Sequence, residues 1–300
     1  MSNDRRFKVG VTIHPQQCTI QQLRDAWRRA DDLGVDSIWF WDHFFPLYGN
    51  PDGNQFECWS LLAAAAIETR APQIGPMVTC IGYRNPDLIA YQAATVDQLS
   101  GGRFVLGIGA GWFERDYAEF GFPFGEAKDR VRTLKEALPR IKKRIENLKP
   151  GPAGPMPILI GGGGEKRTLR TTARYADGWN LPYIAPAEWS AKNAVLDRWC
   201  ERERRDPRAI ERTANVGFYL GTDAPGAARA EARFREEWSG RVPADNSRTG
   251  FLRGLARDAI GMVAGYRNAG VDQLNIAVRS GLYDWDALAA FAEEVMPSFR

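Results

Sequence analysis

The chain alternates between short runs rich in β-branched and aromatic residues and longer stretches with apolar residues at helical spacing. Residues 7–13 (Phe-Lys-Val-Gly-Val-Thr-Ile) form a run of the first kind. Residues 19–34 carry Leu23, Ala26, Trp27, Ala30 and Leu33 on one helical face before Gly34 closes the pattern. This β-α unit recurs: strand 36–41 precedes helix 55–69, 74–80 precedes 86–99, 104–109 precedes 126–148, and 157–161 precedes 165–176. Strand 178–181 then precedes helix 187–204, 214–220 precedes 224–238, and 272–278 precedes 285–295, with an extra helix expected at 253–269. Pro139 is expected to kink or split the fourth helix, because it lacks the N–H that an interior helical position donates. Eight strands each followed by a helix predict an α/β fold of the (β/α)8 TIM-barrel type rather than an open doubly wound sheet. The connections 42–54 and 239–252 are long, and long ordered loops tend to be functional; the second is expected to be a lid or insertion. No repeat, low-complexity tract or linker divides the sequence, so one domain over 1–300 is expected.

Composition narrows the function classes. With 44% hydrophobic and 26% charged residues, the chain reads as a globular protein able to bury a sizeable core. The net charge is only +3, and basic residues are interleaved with acids, as in Glu201-Arg202-Glu203-Arg204-Arg205, which argues against a nucleic-acid partner. Cys18, Cys58, Cys80 and Cys200 are far apart and form no C-x-x-C pair, so neither a zinc site nor a disulfide framework is indicated, and a reducing cytoplasm fits. No signal-like apolar core follows the N-terminal charges, and no stretch approaches the roughly 18 apolar residues of a membrane span. A cytoplasmic protein without a membrane partner is expected.

The chemistry of a barrel sits at the C-terminal ends of its strands. After the fifth strand, Pro-Ile-Leu-Ile runs into Gly161, Gly162, Gly163 and Gly164 and then into a helix carrying Lys166, Arg167 and Arg170. Glycine lets backbone N–H groups approach an oxyanion, and the helix N-terminus adds unpaired donors and a positive dipole end, so this turn is a phosphate-site candidate. The spacing is neither the P-loop nor the dinucleotide fingerprint, and a flexible turn without a ligand is the plain alternative. Asp42 and His43 follow the second strand, Thr79 and Cys80 end the third, and Asn180 lies at the sixth. His43, inside Trp-Phe-Trp-Asp-His-Phe-Phe-Pro, either shuttles a proton near neutral pH or shapes its loop. His14 ends the first strand and is expected to line the same mouth. Two histidines cannot build a histidine-rich metal cluster, which leaves an all-carboxylate magnesium site as the alternative to the expectation of no metal.

Gly107-Ile-Gly-Ala-Gly-Trp112 either lets backbone approach a flat or phosphorylated group at Gly109 and Gly111 or permits close strand packing. Trp39, Trp41, Phe44, Phe45, Trp59 and Trp179 read as core, whereas Trp112, past a strand end, is the candidate stacking surface. Glu114 and Asp116 read as part of a solvated loop. No G-x-S-x-G elbow or cysteine nucleophile motif supports hydrolysis.

Several of these stretches, Asp-Ser-Ile-Trp-Phe-Trp-Asp-His-Phe-Phe-Pro, Tyr-Arg-Asn-Pro with Ala-Ala-Thr-Val-Asp-Gln-Leu-Ser-Gly-Gly-Arg, Gly-Ile-Gly-Ala-Gly-Trp and Ala-Asp-Gly-Trp-Asn, resemble the luciferase-like monooxygenase superfamily over nearly the whole chain. Gly-Gly-Gly-Gly-Glu-Lys-Arg with Gly-Trp-Phe-Glu is most similar to its coenzyme F420-dependent oxidoreductase branch. The resemblance implies a bacterial luciferase-like barrel with insertions, holding the deazaflavin F420, or FMN in other branches, with its ring at the mouth and its phosphate on Gly161, Gly162, Gly163 and Gly164. It implies a non-prolyl cis peptide near Pro76, Met77 and Val78, forming a bulge behind the ring, and an acid/base role for His43. The cofactor-binding set it implies also includes Asp42, Thr79, Gly109, Gly111, Trp112, Lys166 and Arg167. A polyglutamylated tail would favour Lys166, Arg167 and Arg248. A small-molecule substrate and a homodimer are part of the same implication. Leu47 and Ala110 stand where the sugar-phosphate dehydrogenase branch carries a tryptophan and a glutamate, which counts against sugar-phosphate oxidation. The expectation is hydride transfer between C5 of the deazaflavin and an organic substrate. The alternatives are an FMN-dependent monooxygenase and a flavin or deazaflavin carrier without chemistry.

Overall fold

The computed structural model describes residues 6–238, 250–278 and 285–299. In chain order the elements are β1 (Lys8–Ile13), α1 (Ile20–Asp32), β2 (Ser37–Phe40), α2 (Cys58–Glu68), β3 (Gln73–Pro76), β4 (Thr79–Cys80), α3 (Pro86–Ser100), β5 (Leu106–Gly109), α4 (Glu114–Phe120) and α5 (Ala127–Glu146). There follow β6 (Ile158–Gly161), α6 (Thr168–Tyr175), β7 (Gly178–Pro182), α7 (Pro186–Arg202), β8 (Glu211–Gly221), α8 (Ala224–Trp238), β9 (Phe251–Leu255), α9 (Ala259–Asn268), β10 (Gln273–Val278) and α10 (Trp285–Glu294). The strands pair in parallel in the order β3-β2-β1-β10-β8-β7-β6-β5-β4. The ring closes where the Ile74 amide donates to the Arg103 carbonyl (3.0 Å) and the Val105 amide to the Ile74 carbonyl (2.9 Å). The predicted barrel of parallel strands wrapped by helices is therefore present.

The third predicted strand, 74–80, is two pieces. A cis peptide joins Met77 to Val78, where the resemblance implies one, and the backbone leaves the ladder there, so β3 pairs with β2 and β4 with β5. Glycines make room for the bulge. A Cβ on Gly107 would collide with the Pro76 carbonyl oxygen, and one on Gly109 would sit 2.7 Å from Val78 Cγ2. The Gly-x-Gly of β5 thus serves close packing at its first glycine and the cavity rim at its second.

Two expectations are corrected. The extra helix begins only at Ala259; residues 251–255 form β9, which adds to the edge of β8 with Gly217 opposite Phe251 and Gly221 opposite Leu255. Pro139 does not split its helix, because α5 runs unbroken from Ala127 to Glu146. Pro139 and Lys135, whose carbonyl loses its i→i−4 donor, both lie on the exposed face, so the lost bond falls outside the packed core. Leu134, Ala137, Leu138 and Ile141 hold the other face in the core.

Local chemistry fixes the rest of the scaffold. Thr19 and Gln22 form a capping box at the start of α1, and Asn85 with Pro86 starts α3, which ends on left-handed Gly101. Asp36, Asp177 and Asp272, each next to the start of a strand, repeat one device. Their carboxylates accept the amides of Val9 (2.8 Å), Ile158 (3.0 Å) and Arg212 (2.8 Å) and tie neighbouring strands together at the N-terminal end of the barrel. The stretch around Ser100 and Arg103 is structural as well. The Arg103 guanidinium donates to the carbonyls of Ala66, Thr69 and Pro72 and staples α2 to the start of β3. Among the described residues no helix is long and apolar enough to cross a membrane.

Candidate active site

With its N-terminal end tied by these aspartates, the barrel opens at the other end into a cavity of about 570 Å³, within the range of small-molecule sites of roughly 300–1,000 Å³. His43 lies in its wall, in the connection after β2. The Nδ1 atom of His43 is 2.6 Å from Asp116 Oδ2, and Asp116 is fully buried. The same carboxylate accepts the amides of Phe44 (3.0 Å) and Phe45 (3.2 Å) and the Tyr83 hydroxyl (2.8 Å). With three other donors converging on Asp116, the carboxylate is the acceptor and His43 Nδ1 the donor, which leaves Nε2 as the nitrogen able to exchange a proton with a ligand. Burial, then the neighbouring Cys80 and the bond to Asp116, push the Tyr83 phenol far above its ordinary range, so it stays a donor.

The expectation of a solvated loop at 114–116 is corrected for Asp116. Residues 114–120 form α4, whose inner side carries Asp116 and Tyr117, while Glu114 is exposed as expected. The segment turns through Gly111 (φ 82°) and stops on Gly121 (φ 70°). The connection 42–54 is held down by this helix. Phe44 stacks on Phe120 at 4.1 Å, Arg115 donates to the Pro51 carbonyl and Asp52, and Gln16 accepts the Leu47 amide. Its signal in sequence was weak: an acid two residues after Glu114 looks solvated until the turn of α4 is known to point it at His43.

Asp42 lines the cavity but its oxygens are committed. They accept from Arg84 (2.5 and 3.0 Å) and from the Thr79 hydroxyl (2.6 Å), and Arg84 also bonds Glu57. Thr79 is fully buried, and neither it nor Pro76 belongs to the cavity wall. Met77, Val78, Gly109, Gly111, Trp112, Gly161 and Gly162 do line it. Gly163, Gly164, Lys166 and Arg167 lie beyond the wall, the last three exposed, and Arg170 is turned away to Glu203. Arg248 lies outside the described residues, as does 239–249 of the expected insertion. The Gly162 amide donates to the Asn180 carbonyl (3.0 Å) and its carbonyl accepts from Trp179 (2.9 Å), so φ of 120° is held on both sides. Thr168, the first residue of α6, completes this corner of the wall, a residue the sequence reading missed although it opens the helix after the glycines.

His14 joins the mouth as expected, stacked on Trp41 at 3.9 Å with Nδ1 2.9 Å from the Tyr48 hydroxyl. Trp41 is both core-like, at 7% exposure, and part of the wall. Cys80 also lines the cavity, with its thiol pushed up to about 11 by burial, and is therefore neutral and unreactive at ordinary pH. Among the described residues no group of three or more His, Cys, Asp or Glu side chains could hold a metal ion.

The comparisons agree with this architecture. Residues 6–274 match the family described as luciferase-like monooxygenase. The F420-dependent glucose-6-phosphate dehydrogenase of Amycolatopsis mediterranei is 26% identical, over 98% of this chain and 99% of the relative. The 5,10-methylenetetrahydromethanopterin reductase of Archaeoglobus fulgidus is 28% identical, over 97% and 84%. A solved F420-dependent secondary alcohol dehydrogenase, in complex with an F420-acetone adduct, superimposes with a TM-score of 0.82 over 98% of this chain and 99% of that one, at 19% identity.

Proposed function

The chain belongs to the luciferase-like monooxygenase family, and on that premise we propose that it is an F420-dependent oxidoreductase in which His43 handles the proton of an organic substrate. One juxtaposition carries the reading: Val78, the His43 held by Asp116 and the glycine turn that ends β6 meet at one cavity. Two of the proteins described above, the Amycolatopsis dehydrogenase and the secondary alcohol dehydrogenase, are named for F420, which supports that coenzyme over FMN.

The residues present fit such a group. Val78 offers a branched apolar face backed by Gly109 and Gly161, suited to one side of a flat ring. The hydroxyl of Thr168, at the N-terminus of α6, would hold the phosphate where the helix dipole favours an anion, with Gly161 and Gly162 leaving room beside it because they carry no side chain. When bound, the deazaflavin supplies or accepts a hydride at C5. His43 Nε2 takes or returns the proton of the substrate oxygen. Asp116 keeps the ring in the Nδ1–H tautomer and supports the imidazolium while it carries that proton. Asp42, Arg84 and Thr79 hold β2 against β4 beneath them and position the histidine loop.

A cytoplasmic homodimer belongs to the same reading. All four cysteines are free and buried, which suits a reducing compartment, and Leu88, Tyr91 and Leu99 leave an apolar stripe exposed on α3 that a second copy would cover. Titration of the protein with F420 and with FMN, followed by fluorescence, tests the coenzyme. Saturable F420 binding in preference to FMN is expected; FMN preference, or no binding of either, would overturn it.

A further inference from the structure

Holding an anionic substrate and holding an uncharged one require opposite walls. An anion removed from water needs a cation or several converging donors. Among the described residues lining the cavity there is no lysine or arginine. The one acid among them, Asp42, is already neutralised by Arg84. Neutral polar groups, Thr12, His14, Asn180 and Asn215, lie in the wall, and on the side facing His43 it carries Leu47, Ala110, Trp112, Tyr183 and Trp238.

Two of these residues bring aromatic surface to the mouth. Trp112 lines the cavity yet is 63% exposed, so a large apolar ring stands in water at the mouth, where an apolar ligand would cover it. Tyr183 adopts φ of 56°, a region seldom used by non-glycine residues, and its ring stacks on Phe251 (5.8 Å) and meets Trp238 (5.6 Å between centroids), so one aromatic cluster lines this side of the cavity. His43 lies edge-on to Trp112, with centroids 5.7 Å apart. A substrate oxygen facing His43 therefore brings the rest of the molecule against aromatic and aliphatic surface.

We propose that the substrate, within the redox reading on which this inference rests, is an uncharged apolar alcohol or carbonyl compound bound against Leu47, Trp112, Tyr183 and Trp238. A phosphorylated or carboxylated substrate is of the class these walls reject, and the glucose 6-phosphate named for the Amycolatopsis relative belongs to it.

The test is a binding titration of the full chain, with and without F420, by calorimetry and tryptophan fluorescence. The probes are acetophenone, 1-phenylethanol, their 4-carboxy analogues and glucose 6-phosphate. The neutral members are expected to bind about tenfold or more tightly than their carboxylated partners, and glucose 6-phosphate not to saturate. Trp112→Ala is expected to weaken the neutral ligands about tenfold, and Leu47→Arg to shift the preference toward the carboxylates. Tighter binding of an anionic partner by the unaltered protein, or no saturable binding of any neutral member, would overturn the inference. Failure of F420 to bind while acetophenone still saturates would refute the coenzyme reading and support the apolar wall. F420 binding accompanied by preferred turnover of glucose 6-phosphate would refute only the substrate class.

Discussion

Asp116 decides what His43 can do, because it fixes both the tautomer and the orientation of the ring. Asp116→Asn presents an amide that no longer supports a positive imidazole, and turnover is expected to fall about 10²–10⁴-fold with coenzyme affinity little changed. Rate measurements alongside an F420 titration check this; unchanged turnover would remove Asp116 from the mechanism. His43→Ala is expected to lose turnover to a similar extent. Residue identity alone made His43 and His14 legible, since polar histidines beside a strand end are unusual and easily placed. Asp116 was not, because it reaches His43 across 73 positions of chain, and only the packed α4 brings the two together. Thr79 and Lys166 err in the other direction. Thr79 ends a predicted strand and Lys166 follows one, yet Thr79 turns inward to Asp42 and Lys166 lies exposed beyond the cavity wall.

The cis bulge depends on glycine at the level of the element. Gly107→Ala sets a methyl against the Pro76 carbonyl, a backbone atom that cannot rotate away, so a loss of about 2–3 kcal/mol is expected. Thermal unfolding of the variant checks it, and an unchanged midpoint would show that β3 and β5 can separate there without cost. Helix pairing offers a pH test. The hydrogen bonds from Arg140 and Arg144 of α5 hold the Asp87 carboxyl down to about 2, below its value of roughly 3.9 in the unfolded chain. A depressed folded value means that the stabilisation is present above about pH 4 and fades as pH falls toward 2. The effect is small because the pair is solvent-screened. The difference in unfolding midpoint between the protein and Asp87→Asn is therefore expected to shrink over that interval, and a constant difference would contradict the pairing. Periodicity revealed the eight barrel strands because each is a short apolar run beside a helical pattern. It misassigned Phe251–Leu255, which is a strand only because the edge of β8 accepts it, a tertiary pairing with no local signature.

For the whole molecule, the barrel gathers residues from β1, β2, β4, β5, β6 and β7 ends into one mouth, and that convergence is what the repeated β-α pattern foretold. Its finer division, with a glycine turn at one side and an aromatic wall at the other, depends on side-chain placement that spacing does not encode. Burial of all four thiols gives a global check. Cys18 is pushed up to about 11 by burial, as Cys80 is, so alkylation of the native protein near pH 8 is expected to be slow until it unfolds. Rapid labelling of any cysteine before unfolding would show that the barrel opens more readily than its packing indicates. The most direct test of the central claim is diffraction from crystals grown with coenzyme F420. The expected result is ring density against Val78 within reach of His43, with phosphate density beside Gly162 and Thr168. Coenzyme density elsewhere on the protein, with this mouth empty, would contradict it.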